Sequence, residues 1–353
     1  MVYILDWKEE LKNLIKTPEQ LKKYMSLSSK EIKNINEVIK TFKMSITPYY
    51  ASLMDRDDKN CPIRRIAMPN IKEINQFICT PKTEEENRIQ PLVGIRRRYP
   101  DRCLLIPTLI CPNYCRFCFR KYWVGRVQKT LSRSELSKAI NFIKSDSNLR
   151  EVIITGGEPF VLSDGYLDYI LKELKKITHI KNIRIGTRAP VFLPSRFTDD
   201  LINILKNNAP IYIITHFNHP KEITEQSIKV CSKLSNNGIL LFNQTVLLRG
   251  INDKSQILKE LFLKLVEMRV KPYYLFHCIN TMGNNHFVTK IDVGTDIIKQ
   301  LYCNISGLAI PIYSKATYHG KLMLMPKYIK KRKNNDLIFE NYEGYEFSIK
   351  ENT

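Results

Sequence analysis

The chain has 353 residues, of which 43% are hydrophobic, so it is long enough to bury a substantial core. It has no apolar run of about 18 or more residues, which excludes a transmembrane helix, and its first ten residues lack the apolar stretch of a signal peptide. The formal charge of +21 comes from scattered lysines and arginines without a recognisable nucleic-acid-binding module. We therefore expect a cytoplasmic protein with neither a membrane nor a nucleic-acid partner.

The first hundred residues predict short helices and loops, with capped helix starts at Thr17 and Ser29. From about Cys103, short apolar runs typical of buried strands alternate with amphipathic stretches of about 10–16 residues, which are typical of helices. The predicted strands are 104–107, 152–155, 183–187, 211–215, 239–248 and 273–277, and the predicted helices begin near Ser132, Ser163, Thr198, Pro220 and Ser255.

Strands that alternate with helices predict βαβ units and a parallel sheet, so the fold class is α/β. About six such units favour a partial (β/α)6 barrel with ligands at the C-terminal ends of the strands. We expect an N-terminal helical region over 1–100, the barrel over 101–305 and a C-terminal segment over 306–353.

Three of the nine cysteines, Cys111, Cys115 and Cys118, lie within eight residues, directly after the first predicted strand. In a reducing compartment, clustered thiols more often serve metal or redox chemistry than disulfides. The spacing of three and then two residues allows one loop to wrap three thiolates round an iron–sulfur cubane and leaves one iron open. A structural zinc would need a fourth cysteine or histidine nearby, and no pair of matching spacing exists. The loop therefore predicts a [4Fe-4S] cluster.

This loop, with the aromatic Phe117 before its third cysteine, resembles that of the radical S-adenosylmethionine (SAM) superfamily. Gly156, Gly157 and Glu158 follow the next predicted strand and match the second motif of that superfamily. The resemblance implies that Phe117 packs near the adenine of SAM. It also implies that the glycine motif contacts the methionine amino group.

Two more polar motifs end predicted strands. Thr187 and Arg188 lie at the expected active face, where they are candidate SAM ligands, and a salt-bridged strand end is an equal alternative. His216 and His219 fit hydrogen-bonded strand-end histidines better than metal ligands.

Stretches spread over residues 6–330 resemble lysine 2,3-aminomutase and its relatives. The resemblance implies that the chain uses pyridoxal 5′-phosphate (PLP) as well as the cluster. A radical derived from SAM then removes a β-hydrogen, and the amino group of a small-molecule amino acid moves from Cα to Cβ. An external electron donor of flavodoxin or ferredoxin type and a homo-oligomer are also implied. The matching stretches are 6–8, 46–52, 98–102, 215–220, 243–250 and 269–274.

The same resemblance places the PLP residues. Lys321 matches the Schiff-base lysine, which has to be an amine that can lose its proton. Arg98, Tyr99 and Arg102 match the residues that hold the PLP phosphate, and two guanidiniums suit a dianion. Gln244 matches a cofactor-contacting glutamine.

The substrate residues differ from those of lysine-specific members. Arg120 matches the arginine that binds the substrate carboxylate, which a guanidinium does well. Two aspartates surround the substrate ammonium in lysine-specific members, whereas this chain has Ile279 and Ser314, or Lys315, at those positions. An unpaired ammonium in a dry pocket is costly, so the resemblance argues against free lysine. Lys315 would suit an acidic side chain and Ile279 an uncharged one, and both remain open.

The chain departs from the family pattern at two further places. Residues 317–320 replace the glycine-rich stretch before the PLP lysine, and Lys254 stands where longer relatives carry a zinc cysteine, so no structural zinc is expected.

An aminomutase acting on a lysine side chain of a partner protein, of the translation-factor type, is one alternative function. A basic scaffold with a vestigial cluster is the other, and the complete cysteine set and Lys321 argue against it.

Overall fold

The computed structural model describes residues 6–74, 90–121, 123–317, 320–333, 336–341 and 343–350. Residues 318 and 319, part of the stretch that replaces the glycine-rich segment of the family, therefore lie outside the described residues. No helix within these ranges combines the length and the apolarity that crossing a membrane requires.

Short helices form most of the described N-terminal residues, with a cap at Thr17 as predicted and a cap at Ser28 rather than at Ser29. The hydroxyls of Thr17 and Ser28 accept backbone N–H groups three residues on, and Gln20 and Glu31 bond back to complete two capping boxes. These local bonds set where the second and third helices begin. The helices are α1 Trp7–Lys12, α2 Pro18–Leu21, α3 Ser29–Thr41, α4 Pro48–Ser52 and α5 Pro62–Ala67.

A nine-stranded sheet, with its strands in chain order, forms the body of the protein. The second to eighth strands are parallel, and the first and ninth add antiparallel edges. The strands are β1 Ile95–Tyr99, β2 Arg102–Thr108, β3 Glu151–Gly156, β4 Asn182–Gly186, β5 Ile211–Thr215, β6 Leu240–Leu247, β7 Val270–His277, β8 Ile312–Thr317 and β9 Gly320–Met323.

Helices connect the successive parallel strands and cover one face of the sheet, as crossover connections require. Burial alternates along β3 and β4, so that Val152 and Ile154 pack into the core while Ile153 and Arg184 face the barrel interior. These helices are α6 Arg133–Ser145, α7 Asp164–Lys175, α8 Ala189–Phe192, α9 Asp199–Asn207, α10 Glu225–Asn236, α11 Ser255–Glu267 and α12 Ile291–Leu301.

The two edges of the sheet contact each other, so the barrel is nearly closed. Arg98 Nη1 on β1 donates to the carbonyl oxygen of Thr317 at 2.7 Å. The backbone N–H of Lys321 on β9 donates to the hydroxyl of Tyr99 at 3.2 Å. Near-closure therefore places the predicted PLP lysine against the first strand.

A β-bulge shapes one interior wall of the barrel. The register of β7 against β6 shifts between Pro272 and Tyr274, which leaves Tyr273 as the extra residue. Proline has no N–H for the ladder, so a bulge accommodates it inside a sheet. The rings of Tyr273 and Tyr274 lie 4.1 Å apart, and Tyr274 stacks on Phe276 at 4.9 Å. The bulge thus builds an aromatic wall beside β8.

The predicted partial barrel is confirmed, and all six predicted strands overlap β2–β7. The sheet also includes β1, β8 and β9, so it extends past the expected limits of 101 and 305. One helix start was wrong, because Pro220–Glu222 forms a 3-10 turn and the helix begins at Glu225 with Thr224 as its cap. The other four starts are confirmed, at Ser132, Ser163, Thr198 and Ser255.

The C-terminal segment contains a separate antiparallel sheet that the sequence pattern did not reveal. The first of its strands, β10, carries Lys330, Lys331 and Arg332 in succession, so it does not show the alternation of polar and apolar residues that marks a half-buried strand. The strands are β10 Ile329–Lys333, β11 Asp336–Glu340 and β12 Glu346–Lys350.

Candidate active site

Cys111, Cys115 and Cys118 lie on the loop that follows β2, at the C-terminal end of the parallel strands. The Cys111 thiol donates to the carbonyl oxygen of Asn113 at 3.3 Å. Burial raises the pKa of all three thiols, so metal binding has to displace their protons. Three soft thiols are the ligands that iron–sulfur clusters take. Within the described ranges, no three His, Cys, Asp or Glu side chains are arranged round a single metal ion.

The glycine motif supports the start of the cysteine loop. Gly157 N–H donates to Thr108 O at 2.9 Å, and Glu158 N–H donates to Ile110 O at 2.8 Å. A Cβ on Gly157 would lie 2.1 Å from Ile110 O, and one on Gly156 would lie 2.3 Å from Thr108 O. Gly156 also has a φ of +142°, which disfavours other residues. Glycine is needed at both positions because the backbone around the start of the cysteine loop passes too close to them for a side chain.

We expect Gly157→Ala to lower the free energy of unfolding by about 1–3 kcal/mol, because the methyl group meets backbone rather than a flexible side chain. Iron bound per chain after reconstitution should also fall, since the cysteine loop has to move. Gly165→Ala in α7 is the control, because nothing lies within 4 Å of its added Cβ. Urea unfolding and iron analysis measure both effects, and a Gly157→Ala protein with wild-type stability and iron content would contradict the assignment.

The Glu158 carboxylate joins the ends of β3 and β4. It accepts hydrogen bonds from the Thr187 hydroxyl at 2.7 Å, Arg188 N–H at 2.9 Å and Phe160 N–H at 3.1 Å. Burial raises the pKa of Glu158, and these hydrogen bonds act in the opposite direction. The structure therefore places Glu158 and Thr187 as supports of the site, and their contact with SAM stays a prediction.

The Arg188 side chain connects the cysteine loop to buried groups on other parts of the chain. Its Nη1 donates to Cys115 Sγ at 2.8 Å, and its Nε donates to His216 O at 3.1 Å. Its Nη2 donates to the Tyr50 hydroxyl at 2.9 Å and pairs with Glu222. The Tyr50 hydroxyl in turn donates to Glu222 at 2.6 Å. Arg188 is thus a salt-bridged strand end, with two buried partners that the sequence analysis missed, although Tyr50 lies in the matching stretch 46–52.

Phe117 packs edge-to-face against His216, with ring centroids 5.4 Å apart. Burial and the charge of Arg188 lower the pKa of His216 to about 3, so the imidazole is neutral near pH 7. Its Nε2 has no hydrogen-bond partner in the described chain, so the predicted hydrogen bond is missing at that atom. His219 Nδ1, by contrast, accepts Lys221 N–H at 3.1 Å, as predicted. An unpaired buried nitrogen beside Phe117 is a group that a ligand can satisfy.

A buried charge cluster of Glu73, Arg116 and Lys121 ties the N-terminal region to the cysteine loop. Arg116 Nη2 lies 2.5 Å and Lys121 Nζ lies 2.9 Å from Glu73 Oε2. Arg116 Nη1 also donates to Lys43 O at 2.8 Å, and Lys121 Nζ donates to Gly283 O at 3.0 Å. Burial raises the pKa of Glu73, but Arg116 and Lys121 outweigh burial and the net shift is downward. No sequence pattern marked Glu73, which lies far from the loop in the chain.

We expect Glu73→Gln to lower the free energy of unfolding by about 3–5 kcal/mol, because two buried cations lose their counter-charge. The cysteine loop should loosen with it and hold less iron. Glu37→Gln removes an exposed pair with Lys40 and should leave stability nearly unchanged. Equal urea midpoints for the two variants would show that the Glu73 cluster does not stabilise the fold.

Lys321 lies against the aromatic wall, with its Nζ 4.5 Å from the ring centroid of Tyr274 and 5.2 Å from that of Phe276. Partial burial, followed by the positive charges of Arg184 and Arg102, lowers the pKa of Lys321 to about 8. A neutral amine is therefore accessible near pH 8, as a nucleophilic lysine requires.

One of the three predicted phosphate residues, Tyr99, contacts the same lysine, and the other two lie next to Tyr99. Tyr99 accepts the Lys321 N–H, as described above, and Arg98 lies beside it on β1. The Arg102 guanidinium carbon lies 4.0 Å from the ring centroid of Tyr99, and its Nη1 lies 2.7 Å from Asp101 Oδ1. The fold therefore brings the predicted PLP residues together where the two edges of the barrel meet.

Gln244 and Arg120 occupy other parts of the barrel. Gln244 lies on β6 between Asn243 and Thr245, both fully buried, so its side chain faces the interior. Arg120 Nη1 lies 3.5 Å from Gly156 O, which places it beside the cysteine loop. Burial lowers the pKa of Arg120. A carboxylate that reached this guanidinium would relieve the cost of burial.

The register of β8 determines which of Ser314 and Lys315 faces the barrel interior. Ser314 pairs with Phe276, so it shares the interior face with that ring, and it is 2% exposed. Lys315 shares the outer face with Tyr313, whose hydroxyl lies 2.8 Å from His277 Nδ1. Burial, followed by the charge of Lys315, lowers the pKa of His277 to about 4, which agrees with that placement. Ser314 therefore faces the interior, and Lys315 does not.

Residues 105–261 match the family described as the Radical SAM superfamily, so the three-thiol loop on a nearly closed α/β barrel is that of a radical SAM enzyme. L-lysine 2,3-aminomutase of Clostridium subterminale is 40% identical over 342 residues, which cover 96% of this chain and 82% of that protein. The enzyme of the same name from Methanococcus maripaludis is 42% identical over 347 residues, with coverages of 96% and 80%. Glutamate 2,3-aminomutase of Clostridioides difficile is 39% identical over 346 residues, with coverages of 96% and 82%. The chain belongs to the lysine 2,3-aminomutase family of isomerases.

This family uses a [4Fe-4S] cluster, SAM and PLP, and the described residues fit each of them. The three thiols are a suitable donor set for the cluster. His216 leaves a buried nitrogen unpaired beside Phe117, where SAM is expected. Lys321, with its lowered pKa, lies among aromatic rings and arginines, as PLP requires.

Proposed function

We propose that the protein is a radical SAM, PLP-dependent 2,3-aminomutase whose substrate is an L-amino acid with an uncharged side chain. The charge of the barrel argues against a cationic side chain, and the residues at the two substrate positions argue against an acidic one. Strands β1–β9 contain one acidic residue, Glu151, and it pairs with Arg184. The same strands contain eight lysines and arginines: Arg96, Arg97, Arg98, Arg102, Arg184, Lys271, Lys315 and Lys321.

A substrate ammonium would find no free carboxylate among these strands. Two acids in the loops that follow them are also occupied, since Glu158 bonds to Thr187 and Arg188 N–H, and Glu222 pairs with Arg188. An unpaired ammonium inside a barrel is costly. This argues against free lysine as the substrate.

A substrate with an acidic side chain is disfavoured because Lys315, the cation that would pair with it, lies on the outer face of the barrel. Ser314 takes the interior position, and its hydroxyl donates to Leu322 O at 3.0 Å. Ile279, two residues beyond β7, adds an apolar side chain at the other matching position. A serine and an isoleucine together suit an uncharged side chain.

Each site residue then has a task in the proposed reaction. The bound cofactors supply a one-electron hydrogen abstraction at Cβ and a group that carries the nitrogen during its shift. Cys111, Cys115 and Cys118 hold the cluster, Arg120 binds the substrate carboxylate, and Lys321 holds PLP. Its phosphate is bound by Arg98, Tyr99 and Arg102. An external electron donor of flavodoxin or ferredoxin type and assembly into a homo-oligomer remain part of the proposal.

The test is an anaerobic assay of the reconstituted protein with SAM, PLP, a reductant and a panel of free amino acids. Mass spectrometry would detect β-isomers, and the Lys321→Ala protein is the control. We expect a β-isomer from an amino acid with an uncharged side chain and none from lysine or glutamate. Conversion of lysine or glutamate would overturn the substrate class. SAM cleavage without any isomer would favour a side chain of a partner protein instead.

A further inference from the structure

A buried cation lies directly behind one of the cluster thiols, and the proposed reaction gives it no task. Arg188 is 5% exposed, and its Nη1 lies 2.8 Å from Cys115 Sγ. Its Nη2 bonds to Tyr50 and pairs with Glu222, and both of these residues are 0% exposed. The order of groups is therefore thiol, guanidinium and carboxylate, and the guanidinium and the carboxylate are both buried.

Such an arrangement acts on an electron that enters the cluster. Hydrogen bonds to ligating sulfurs and the net charge near a cluster both set its reduction potential. The reduced cluster carries one more negative charge than the oxidised one, so a nearby cation stabilises it and a nearby anion destabilises it. Burial keeps both effects large, because water and salt screen buried charges weakly.

We propose that Arg188 is a positioning residue that raises the reduction potential of the cluster through its hydrogen bond to Cys115, and that Glu222 limits this rise. The electron comes from the external donor and enters the cluster as a single charge, with no bond formed or broken at Arg188. Tyr50 keeps the Arg188 guanidinium next to the Glu222 carboxylate by hydrogen bonding to both. This inference rests on the cluster of the proposed function.

The same contacts separate this role from binding of SAM. All three nitrogens of Arg188 have protein partners, namely His216 O, Cys115 Sγ, and Tyr50 with Glu222. These contacts use four of the five guanidinium N–H groups, so a SAM carboxylate could bind through two N–H groups only at the expense of one of these bonds. The geometry therefore directs Arg188 toward the sulfur.

The test compares midpoint potentials of anaerobically reconstituted full-length proteins, titrated with dithionite and followed by the EPR signal of the reduced cluster. Arg188→Gln should lower the potential, Arg188→Lys should lower it less, and Glu222→Gln should raise it. The control is Arg196→Lys, another fully buried arginine, which bonds to Phe160 O and Asp164 away from the thiols. It should leave the potential unchanged.

Iron and sulfide analysis of the wild type tests the cluster itself and so separates failure of the proposed function from failure of this inference. Shifts of the same sign for Arg188→Gln and Glu222→Gln, or no shift in either, would overturn the role. An unchanged potential with lost SAM binding would also overturn it, because Arg188 would then be a SAM ligand. If the Arg188→Gln protein holds no cluster, the midpoint potential of Glu222→Gln tests the inference, because that variant keeps the bond between Arg188 and Cys115. An unchanged or lowered potential in Glu222→Gln would then overturn the role.

Discussion

Replacing Cys118 with alanine is expected to abolish both the iron–sulfur absorption and the cleavage of SAM. Three thiols on one loop are the full protein ligand set of the proposed cluster, so two cannot hold it in the same way. The Cys118 thiol is partly buried, and this desolvation raises its pKa, so binding iron has to displace its proton. Iron and sulfide per chain, the visible spectrum and 5′-deoxyadenosine formation measure the effect.

Two other cysteines serve as controls for this substitution. Cys303→Ser changes an exposed thiol and should leave iron content and stability unchanged. Cys231→Ala removes a fully buried thiol on α10 and should lower stability while the cluster remains. A Cys118→Ala protein that kept a wild-type cluster would show that the loop is not the iron site.

Lys321→Ala is expected to eliminate covalent PLP and to reduce isomer formation to the background. The amine lies on the aromatic wall among arginines, and no other lysine on β9 can replace it. The visible absorption of lysine-bound PLP and the β-isomer assay report the loss. Lys315→Ala is the matched control on the neighbouring strand, because its side chain lies on the outer face, and it should keep bound PLP.

The pH dependence of PLP attachment adds a second test at Lys321. Only the neutral amine reacts, and its pKa is lowered to about 8. The neutral fraction should therefore rise about tenfold between pH 7 and pH 9 and then level off. A lysine with its ordinary pKa would continue to gain rate above this range. A steady rise without a plateau would show that the barrel does not lower this pKa.

Local signals in the sequence predicted much of the fold. Apolar runs followed by capped amphipathic stretches marked β2–β7 and four of the helix starts, because a strand or a cap depends on residues close in the chain. The Pro220 start failed because the proline begins a 3-10 turn, and Thr224 competes with it as a cap. Strand β8 was missed because its Tyr-Ser-Lys-Ala-Thr sequence has no apolar run.

The sequence by itself determined the chemistry available to the protein: a three-cysteine loop, a glycine motif, and the lysine and arginines expected to bind PLP. Only the tertiary structure decided which charges neutralise each other and which residues face the barrel interior. Arg188 meets Glu222 and Tyr50, and Arg116 meets Glu73, through contacts between distant parts of the chain. The face that Ser314 shares with Phe276 depends on strand register. A shift of one residue reverses that face, so no local pattern can specify it.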